Sequence, residues 1–284
     1  MSNLLRISDL EVGVKNSKKT ILSNIDFEIK KDQFVGIVGE SGSGKTVTGH
    51  AIMGLLAPNL EVKNGKIDYL NTDLLSLTDK QMVSIRGRKI SMIFQEPNRA
   101  LHPIKKIGIQ IDEVLKIHSQ MNRKQRYERT IELLTEVGLD NPRLIYTKYP
   151  HQLSGGMNQR VMIAMAISMN PDILIADEPT TALDVTTQKE ILNLLNRLKT
   201  ELSLSVILIS HDLALINQYC EVIYVMYHGK IVEKTKSQDF INNPKHPYTQ
   251  ALIKSYPDIG IKLEKIQPIN SEMREYFLSV PRVN

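Results

Sequence analysis

Several residue types that would indicate particular functions are scarce in this 284-residue chain. Cys220 is the only cysteine, which excludes an internal disulfide and any cysteine cluster for zinc or iron–sulfur, and which is typical of a reducing compartment. No run of about 18 apolar residues occurs, so no membrane-spanning helix is predicted. The N-terminal stretch lacks the basic start and the cleavage site of a signal peptide. These absences predict a cytosolic chain.

Aromatic residues are also few, at 5%, and lysine and arginine are spread along the chain instead of alternating with aromatic residues. That distribution is not the pattern of a protein that binds single-stranded nucleic acid. We attribute the formal net charge of +5 to a solvated basic surface. Hydrophobic residues make up 42%, enough to bury a sizeable core. We therefore expect a folded protein of one or two domains with no nucleic-acid partner.

Short apolar runs typical of buried strands alternate with helical patterns along the chain. Continuous apolar strands separated by helices predict a buried, mostly parallel sheet in an α/β fold. The strand-like runs occupy residues 34–38, 90–94, 172–176, 205–210 and 222–226. The predicted helices occupy residues 45–56, 107–118, 124–137 and 155–169, approximately.

Two parts of the chain depart from this alternation. Residues 97–160, approximately, carry helical patterns without a strong strand, and we interpret them as a helical insertion in the α/β core. After residue 236 the pattern weakens and turns containing proline recur, which indicates a C-terminal extension over residues 237–284.

The stretch "GESGSGKT" has the spacing of a phosphate-binding loop and stands between a predicted strand and a predicted helix. Its glycines allow the backbone to wrap closely around a phosphate, and the N–H groups at the helix start supply positive partial charge. Lys45 would reach the β and γ phosphates, and Thr46 would offer its hydroxyl to Mg²⁺. The alternative, a flexible linker, does not explain the flanking strand and helix. The loop residues are Gly39, Glu40, Ser41, Gly42, Ser43, Gly44, Lys45 and Thr46.

An acidic pair follows the strand-like run at residues 172–176. Asp177, at the strand end, can hold Mg²⁺ through water, as the acidic partner of a phosphate-binding loop does. Glu178 is placed to orient an attacking water or to accept its proton, which is the task of a general base. A pair of helix-capping residues is the alternative interpretation, and the presence of the loop makes it the weaker one.

A second anion site is indicated by "LSGGMNQR" at residues 153–160, at the start of an apolar helix. It combines a serine hydroxyl, two glycines that permit close approach and a helix N-terminus. Read alone, the stretch is more simply a capped helix start. If the stretch does bind an anion, one chain carries two phosphate-binding ends, which calls for an explanation.

In these motifs and their order, residues 4–236 resemble the nucleotide-binding subunit of an ATP-binding cassette (ABC) transporter. The resemblance implies a P-loop NTPase core of the ABC ATPase type over residues 1–236, with a mostly parallel sheet, an N-terminal antiparallel β part and an inserted helical subdomain. It also implies ATP and Mg²⁺ as cofactors. In that family two such domains pair head to tail, and each ATP lies between the loop of one and the "LSGG" of the other. The two anion sites are thereby accounted for.

The resemblance assigns further roles by position. The signature residues that would serve the partner's ATP are Leu153, Ser154, Gly155, Gly156 and Gln159. Gln95 resembles the family's glutamine that contacts Mg²⁺ and links the site to the membrane subunits. Asp184 would lie at the dimer seam, and His211 would contact the γ-phosphate. Val14 occupies the position where the family has an aromatic residue that stacks on adenine.

The tail indicates a branch of the family. "NPKHPYTQALIKS" at residues 243–255 is similar to the subgroup that imports di- and oligopeptides, nickel or metal–chelator complexes. The resemblance implies a heterodimer with a second, homologous ATPase subunit, two transmembrane permease subunits and an external substrate-binding protein. It places the chain as a peripheral protein at the cytoplasmic face of the membrane.

The expected function is therefore an ATPase subunit that couples ATP hydrolysis to uptake of di- or oligopeptides. Uptake of nickel or a metallophore stays open, because peptide-importing relatives often continue into a cysteine-bearing extension that this sequence does not show. An ABC ATPase acting on nucleic acid or ribosomes is less favoured, since such proteins usually carry two cassettes or a long coiled coil. A non-catalytic cassette is less favoured because Glu178 and His211 are both present.

Overall fold

The computed structural model describes residues 3–181, 183–255 and 271–283. Part of the predicted C-terminal extension, residues 256–270, therefore lies outside the described residues. The chain divides into two compact units. Unit 1 comprises Met1–Ser76 and Ile207–Asn284, and unit 2 comprises Leu77–Val206.

The strands and helices are numbered in chain order. The strands are β1 (Asn3–Val14), β2 (Thr20–Lys30), β3 (Phe34–Val38), β4 (Leu60–Tyr69), β5 (Thr72–Asp73), β6 (Ile90–Ile93), β7 (Ile173–Asp177), β8 (Ser205–Ser210), β9 (Val222–Tyr227) and β10 (Lys230–Lys236). The α-helices are α1 (Lys45–Met53), α2 (Asp79–Val83), α3 (Pro97–Ala100), α4 (Ile107–His118), α5 (Arg123–Glu136), α6 (Pro142–Thr147), α7 (Gly155–Ile167), α8 (Val185–Glu201), α9 (Leu213–Tyr219), α10 (Ser237–Asn242), α11 (Pro247–Lys254) and α12 (Ser271–Ser279). Short 3₁₀ helices occupy Leu74–Ser76 and Pro150–Gln152.

Unit 1 contains the predicted antiparallel β part. Its strands are arranged in the order β2-β1-β4-β5, and each adjacent pair is antiparallel. Unit 1 also contains β3, which is buried along its whole length and pairs in parallel with β9, while β10 pairs with β9 in the antiparallel direction. A fully buried apolar strand with a parallel neighbour is the arrangement that its continuous hydrophobic sequence predicts.

Unit 2 is largely helical, with β6 and β7 as a parallel pair. Helix α7 is apolar nearly all round, and most of its side chains are buried, so it lies in the core of the unit. Arg126 of α5 forms an ion pair with Asp112 of α4, with Nε 2.7 Å from Oδ1. Within the described ranges of both units, no helix has the length and apolar character needed to cross a bilayer.

The strands predicted from apolar runs agree with β3, β6, β7, β8 and β9 to within one residue at each end. Helix α4 has the predicted bounds and α5 is shifted by one residue, whereas α1 and α7 end two or three residues before their predicted ends. Helix α1 stops at Met53 because Gly54, at φ 61°, adopts the left-handed conformation that ends helices. Helix α7 stops at Ile167, two residues before the predicted end. Strand β10 was not predicted, because its alternation of lysine with apolar residues is weak.

Cys220 follows α9 and is only 4% exposed. Burial raises the pKa of its thiol well above the ordinary value. A Cβ at Gly36 would lie 2.9 Å from the Cys220 sulfur, so the thiol packs directly against β3.

Because the thiolate is the reactive form, we expect Cys220 in the folded chain to resist an aromatic disulfide reagent near pH 8 and to react fully in denaturant. The measurement is the absorbance of the released aromatic thiol with time. Immediate reaction of the folded chain would contradict the packing around Gly36.

Candidate nucleotide-binding site

The predicted phosphate-binding loop connects β3 to α1 in unit 1. Gly42 has φ 79° and Gly44 has φ 106°, both in the left-handed region that favours glycine. A Cβ at Gly44 would lie 2.6 Å from the side chain of Leu22, whereas one at Gly42 would meet no described atom within 4 Å. The loop is therefore packed on the inside and open at Gly42, where a ligand can approach the backbone.

Lys45 is held inside this loop. Its ammonium donates hydrogen bonds to the carbonyl oxygens of Gly39 at 2.8 Å and Glu40 at 2.9 Å. The side chain is buried, so the charge lies among backbone oxygens of the loop. A phosphate that enters the loop would offer the ammonium a fully charged acceptor, which makes a stronger hydrogen bond than a neutral carbonyl does.

The side chain of Ser43 carries a hydroxyl group for which the loop provides no hydrogen-bond partner. Its backbone is fixed, because its N–H donates to the Glu40 carbonyl at 3.1 Å and its carbonyl accepts from Gly229 at 2.9 Å. Its hydroxyl oxygen is buried and forms no hydrogen bond within the described part of the chain. Buried hydroxyls normally have a partner. The loop therefore fits an oxygen-rich ligand.

The acidic residues lie in unit 2, where β6 and β7 run in parallel with Ile93 opposite Ala176. Asp177 ends β7 and is only 2% exposed, while Glu178 follows it and is half-buried. This register brings Gln95, after β6, to the same sheet edge, and its amide nitrogen donates to Oε2 of Glu178 at 3.2 Å. The structure thus brings together Gln95 and Glu178, which were assigned by separate arguments.

Thr181 was not recognised from the sequence as part of this group. Its hydroxyl donates to the same Oε2 of Glu178 at 2.8 Å. Glu178 itself has φ 46°, a conformation that is costly for a residue other than glycine and that is often found at functional sites. The three-residue spacing of Thr181 from an acidic residue was the available signal, but it is common in ordinary turns.

The signature stretch also lies in unit 2. Ser154 caps α7, with its hydroxyl oxygen accepting the Met157 N–H at 3.2 Å. Ser154 and Gly155 are exposed, Leu153 and Gly156 are half-buried, and Gln159 is only 1% exposed. The exposed helix start is thus formed by Ser154 and Gly155, whereas Gln159 is buried.

Three other predicted residues lie at element ends. Asp184 caps α8, and its carboxylate accepts the Thr187 N–H at 3.0 Å and the Thr187 hydroxyl at 2.7 Å. These hydrogen bonds lower the pKa of Asp184. His211 is exposed directly after β8 in unit 1. Val14 is half-buried at the end of β1, and its N–H donates to the Lys19 carbonyl at 2.9 Å.

The side chains assigned to Mg²⁺ are Thr46 in unit 1 and Gln95 and Asp177 in unit 2. Hydroxyl, amide and carboxylate oxygens are the ligand type that Mg²⁺ prefers, so the residues fit this ion chemically. Over residues 3–181, 183–255 and 271–283, the structure contains no group of three or more His, Cys, Asp or Glu side chains that could hold a metal.

Comparison with known proteins identifies the family of the chain. Residues 22–181 match the family described as ABC transporter, and residues 232–277 match the family described as oligopeptide/dipeptide transporter, C-terminal region. The chain is 46% identical to the dipeptide transport ATP-binding protein DppD of Haemophilus influenzae, over 94% of this chain and 82% of that protein. It is 43% identical to the oligopeptide transport ATP-binding protein AppD of Bacillus subtilis, over 96% and 84%.

Solved structures give the same result. The fold superposes on the ATP-binding cassette MJ0796, in a dimeric post-hydrolysis state bound to ADP and Pi, with a TM-score of 0.73 and 30% identity over 82% of this chain and 98% of that one. The chain therefore belongs to the ABC transporter family and has the fold of its ATPase subunits. The predictions of the family, the P-loop fold and the ATPase class are confirmed.

Proposed function

We propose that this chain is the ATP-binding and ATP-hydrolysing subunit of an importer of di- or oligopeptides. The observation that carries the proposal is that an ABC transporter match and an oligopeptide/dipeptide transporter C-terminal match occur in one chain. DppD and AppD are named for dipeptides and oligopeptides, which supports a peptide cargo. The nickel or metallophore alternative is not favoured by these relatives.

The loop of unit 1 binds the triphosphate in this proposal. Backbone N–H groups at the start of α1 and the Ser43 hydroxyl donate to phosphate oxygens, and Lys45 turns from the loop carbonyls to the β and γ phosphates. Thr46, Gln95 and Asp177 would hold Mg²⁺, Asp177 through water, and the bound ion would neutralise charge on the phosphates. Val14 lies beside the base, and its side chain offers only apolar contact there.

Glu178 acts as the general base. Gln95 and Thr181 both donate to Oε2, so the carboxylate is held in one orientation, and we assign acceptance of the water proton to this carboxylate. His211 contacts the γ-phosphate in this scheme. A general base that is already fixed by two hydrogen bonds needs little reorganisation before the water attacks.

The exposed start of α7 serves a second subunit. Ser154 and Gly155 contact the γ-phosphate of ATP bound by a homologous ATPase chain, with Leu153, Gly156 and Gln159 shaping the helix start and Asp184 at the seam. The dimeric state of MJ0796 supports this pairing. ATP at the seam favours the paired over the separated subunits, and hydrolysis removes that preference.

Residues 1–236 form the nucleotide-binding domain, with a helical subdomain at residues 97–160, approximately, and residues 237–284 form the C-terminal extension. The helical subdomain and Gln95 transmit pairing to two permease subunits. An external binding protein supplies the peptide, and the chain lies at the cytoplasmic face of the membrane.

Lys45→Ala tests the proposal. A hydrogen bond to a charged group contributes about 1.5–3 kcal/mol, so we expect ATP affinity to fall by about tenfold to a hundredfold. ATP-dependent uptake of a labelled dipeptide into vesicles that contain the assembled transporter should be abolished. Lys66→Ala, which removes an exposed lysine paired with Asp68 at 2.7 Å, should leave both unchanged.

Two results would refute the proposal. Uptake of nickel without uptake of any peptide would establish the metal alternative. Failure to associate with permease subunits, together with co-purification of RNA, would support the class of ABC ATPases that act on nucleic acid or ribosomes.

A further inference from the structure

The C-terminal extension reaches the phosphate-binding loop within unit 1. The Tyr248 hydroxyl of α11 accepts a hydrogen bond from the Glu40 N–H at 3.3 Å. The carbonyl of the same residue, Glu40, accepts from the Lys45 ammonium at 2.9 Å and from the Ser43 N–H at 3.1 Å. Tyr248 therefore fixes the residue on which both Lys45 and the turn of the loop depend.

Tyr248 is itself held rigidly. Its side chain is fully buried, with its ring centroid 4.2 Å from that of Tyr227 and 5.8 Å from that of Phe277. Tyr227 ends β9 and Phe277 lies on α12, so the hydroxyl is fixed from two directions. Burial raises the pKa of Tyr248, which keeps the hydroxyl neutral. A neutral phenol can accept the Glu40 N–H and retain its own proton.

The segment that carries Tyr248 is anchored to β10. Glu233 is fully buried, and its carboxylate accepts the N–H groups of Lys245 at 3.0 Å and His246 at 2.9 Å. The His246 Nδ1 in turn accepts the Tyr248 N–H at 3.1 Å. Two hydrogen bonds thus connect the residues before α11 to β10, and a third connects them to the backbone of Tyr248. These bonds hold the Tyr248 backbone in place.

The loop has a second support close to this cluster. Gly229 follows Tyr227 by two residues, and its N–H donates to the Ser43 carbonyl at 2.9 Å. A Cβ at Gly229 would lie 2.1 Å from the Ile21 carbonyl oxygen, so this turn is closely packed. The loop is therefore held at Ser43 by the β9–β10 turn and at Glu40 by the C-terminal extension.

We propose that Tyr248 is a positioning residue by which the C-terminal extension preorganises the phosphate-binding loop and strengthens its binding of ATP. The inference rests on the proposed function of the loop. A loop that is ordered before the ligand arrives loses less conformational entropy on binding. The extension thus has a role in nucleotide binding, in addition to any role in recognising other subunits.

Tyr248→Phe removes the hydroxyl and retains the ring in its aromatic cluster. We expect faster hydrogen exchange of the Glu40 amide in the nucleotide-free chain and a Kd for a fluorescent ATP analogue that is about three- to tenfold higher. In the assembled transporter, KM for ATP should rise while kcat at saturating ATP stays unchanged, because Tyr248 does not touch the reacting atoms. A role in stability alone would not produce that separation of KM from kcat.

Tyr224→Phe is the matched control. The Tyr224 hydroxyl is also buried in unit 1, where it accepts from the Glu28 N–H at 3.2 Å and donates to the Glu28 carbonyl at 3.1 Å. This variant should lower the melting temperature and leave both Glu40 exchange and nucleotide affinity unchanged. Equal weakening of ATP binding in the two variants would overturn the proposal.

The two proposals fail in different ways. Unchanged Glu40 exchange in Tyr248→Phe would overturn the positioning role even if the wild-type chain binds ATP well. A wild-type chain without affinity for ATP would overturn the proposed function and the affinity part of this inference. The exchange measurement in that case would still decide whether Tyr248 holds the loop.

Discussion

Replacing Glu178 with glutamine should lower hydrolysis at this chain's nucleotide site by about 10²- to 10⁴-fold, the usual contribution of a general base. An amide cannot accept the water proton at neutral pH, but its oxygen can still accept the hydrogen bonds from Gln95 and Thr181. ATP binding should therefore be retained, and the ATP-bound pair of subunits should accumulate. The measurement is single-turnover hydrolysis in complexes whose partner subunit has an inactivated loop.

Glu132→Gln is the control for this experiment. Glu132 is an exposed carboxylate of α5 that pairs with Arg129 at 3.2 Å, so its neutralisation should leave hydrolysis unchanged. Wild-type turnover in Glu178→Gln would refute the role of Glu178 as the base. Loss of ATP binding in the same variant would instead show that the carboxylate supports the binding site.

Gly155→Asp should abolish hydrolysis at the site that this chain completes for its partner. Two like charges 4 Å apart at an effective dielectric constant of 20 repel by about 4 kcal/mol, which corresponds to about a thousandfold. The carboxylate would stand at the exposed start of α7, where the γ-phosphate of the partner's ATP is proposed to bind. The measurement uses Lys45→Ala/Gly155→Asp against Lys45→Ala alone, so that only the partner's site is active.

Gly155→Asp should not lower the stability of the folded chain, although it should abolish hydrolysis at the partner's site. An acidic residue in the first turn stabilises a helix through its dipole, and replacement of a helical glycine removes backbone entropy from the unfolded chain. The melting temperature should therefore not fall. Gly155→Ala adds a Cβ, 3.5 Å from the Leu183 side chain, without a charge, and should lose less hydrolysis than the aspartate variant. Full hydrolysis in the aspartate variant would contradict a shared site.

The position of Glu178 illustrates how far the sequence could predict this site. An apolar run followed by two acidic residues predicts a strand that delivers them to a sheet edge, and Gln95 follows another such run. Parallel pairing of β6 and β7 then places Gln95 and Glu178 together. The loop at residues 39–46 was equally predictable, because its spacing and its flanking strand and helix agree.

Other features could not be predicted, because they depend on tertiary packing. Glu178 adopts a positive φ that no propensity of glutamate favours. The contact of Tyr248 with Glu40 spans 208 residues, and tyrosine in an amphipathic helix is ordinarily a core residue. Gln159 belongs to the signature motif by position, yet only the structure shows that it is buried.

The packing of Cys220 against Gly36 has a practical consequence for spectroscopy. If Cys220 resists thiol reagents as expected, the native chain can be labelled at an introduced cysteine without replacing its own. A spin label attached at Lys189→Cys, on the exposed side of α8, together with a second label on the partner subunit, would report the distance between the two chains. Electron paramagnetic resonance could then follow the approach and separation of the chains during turnover.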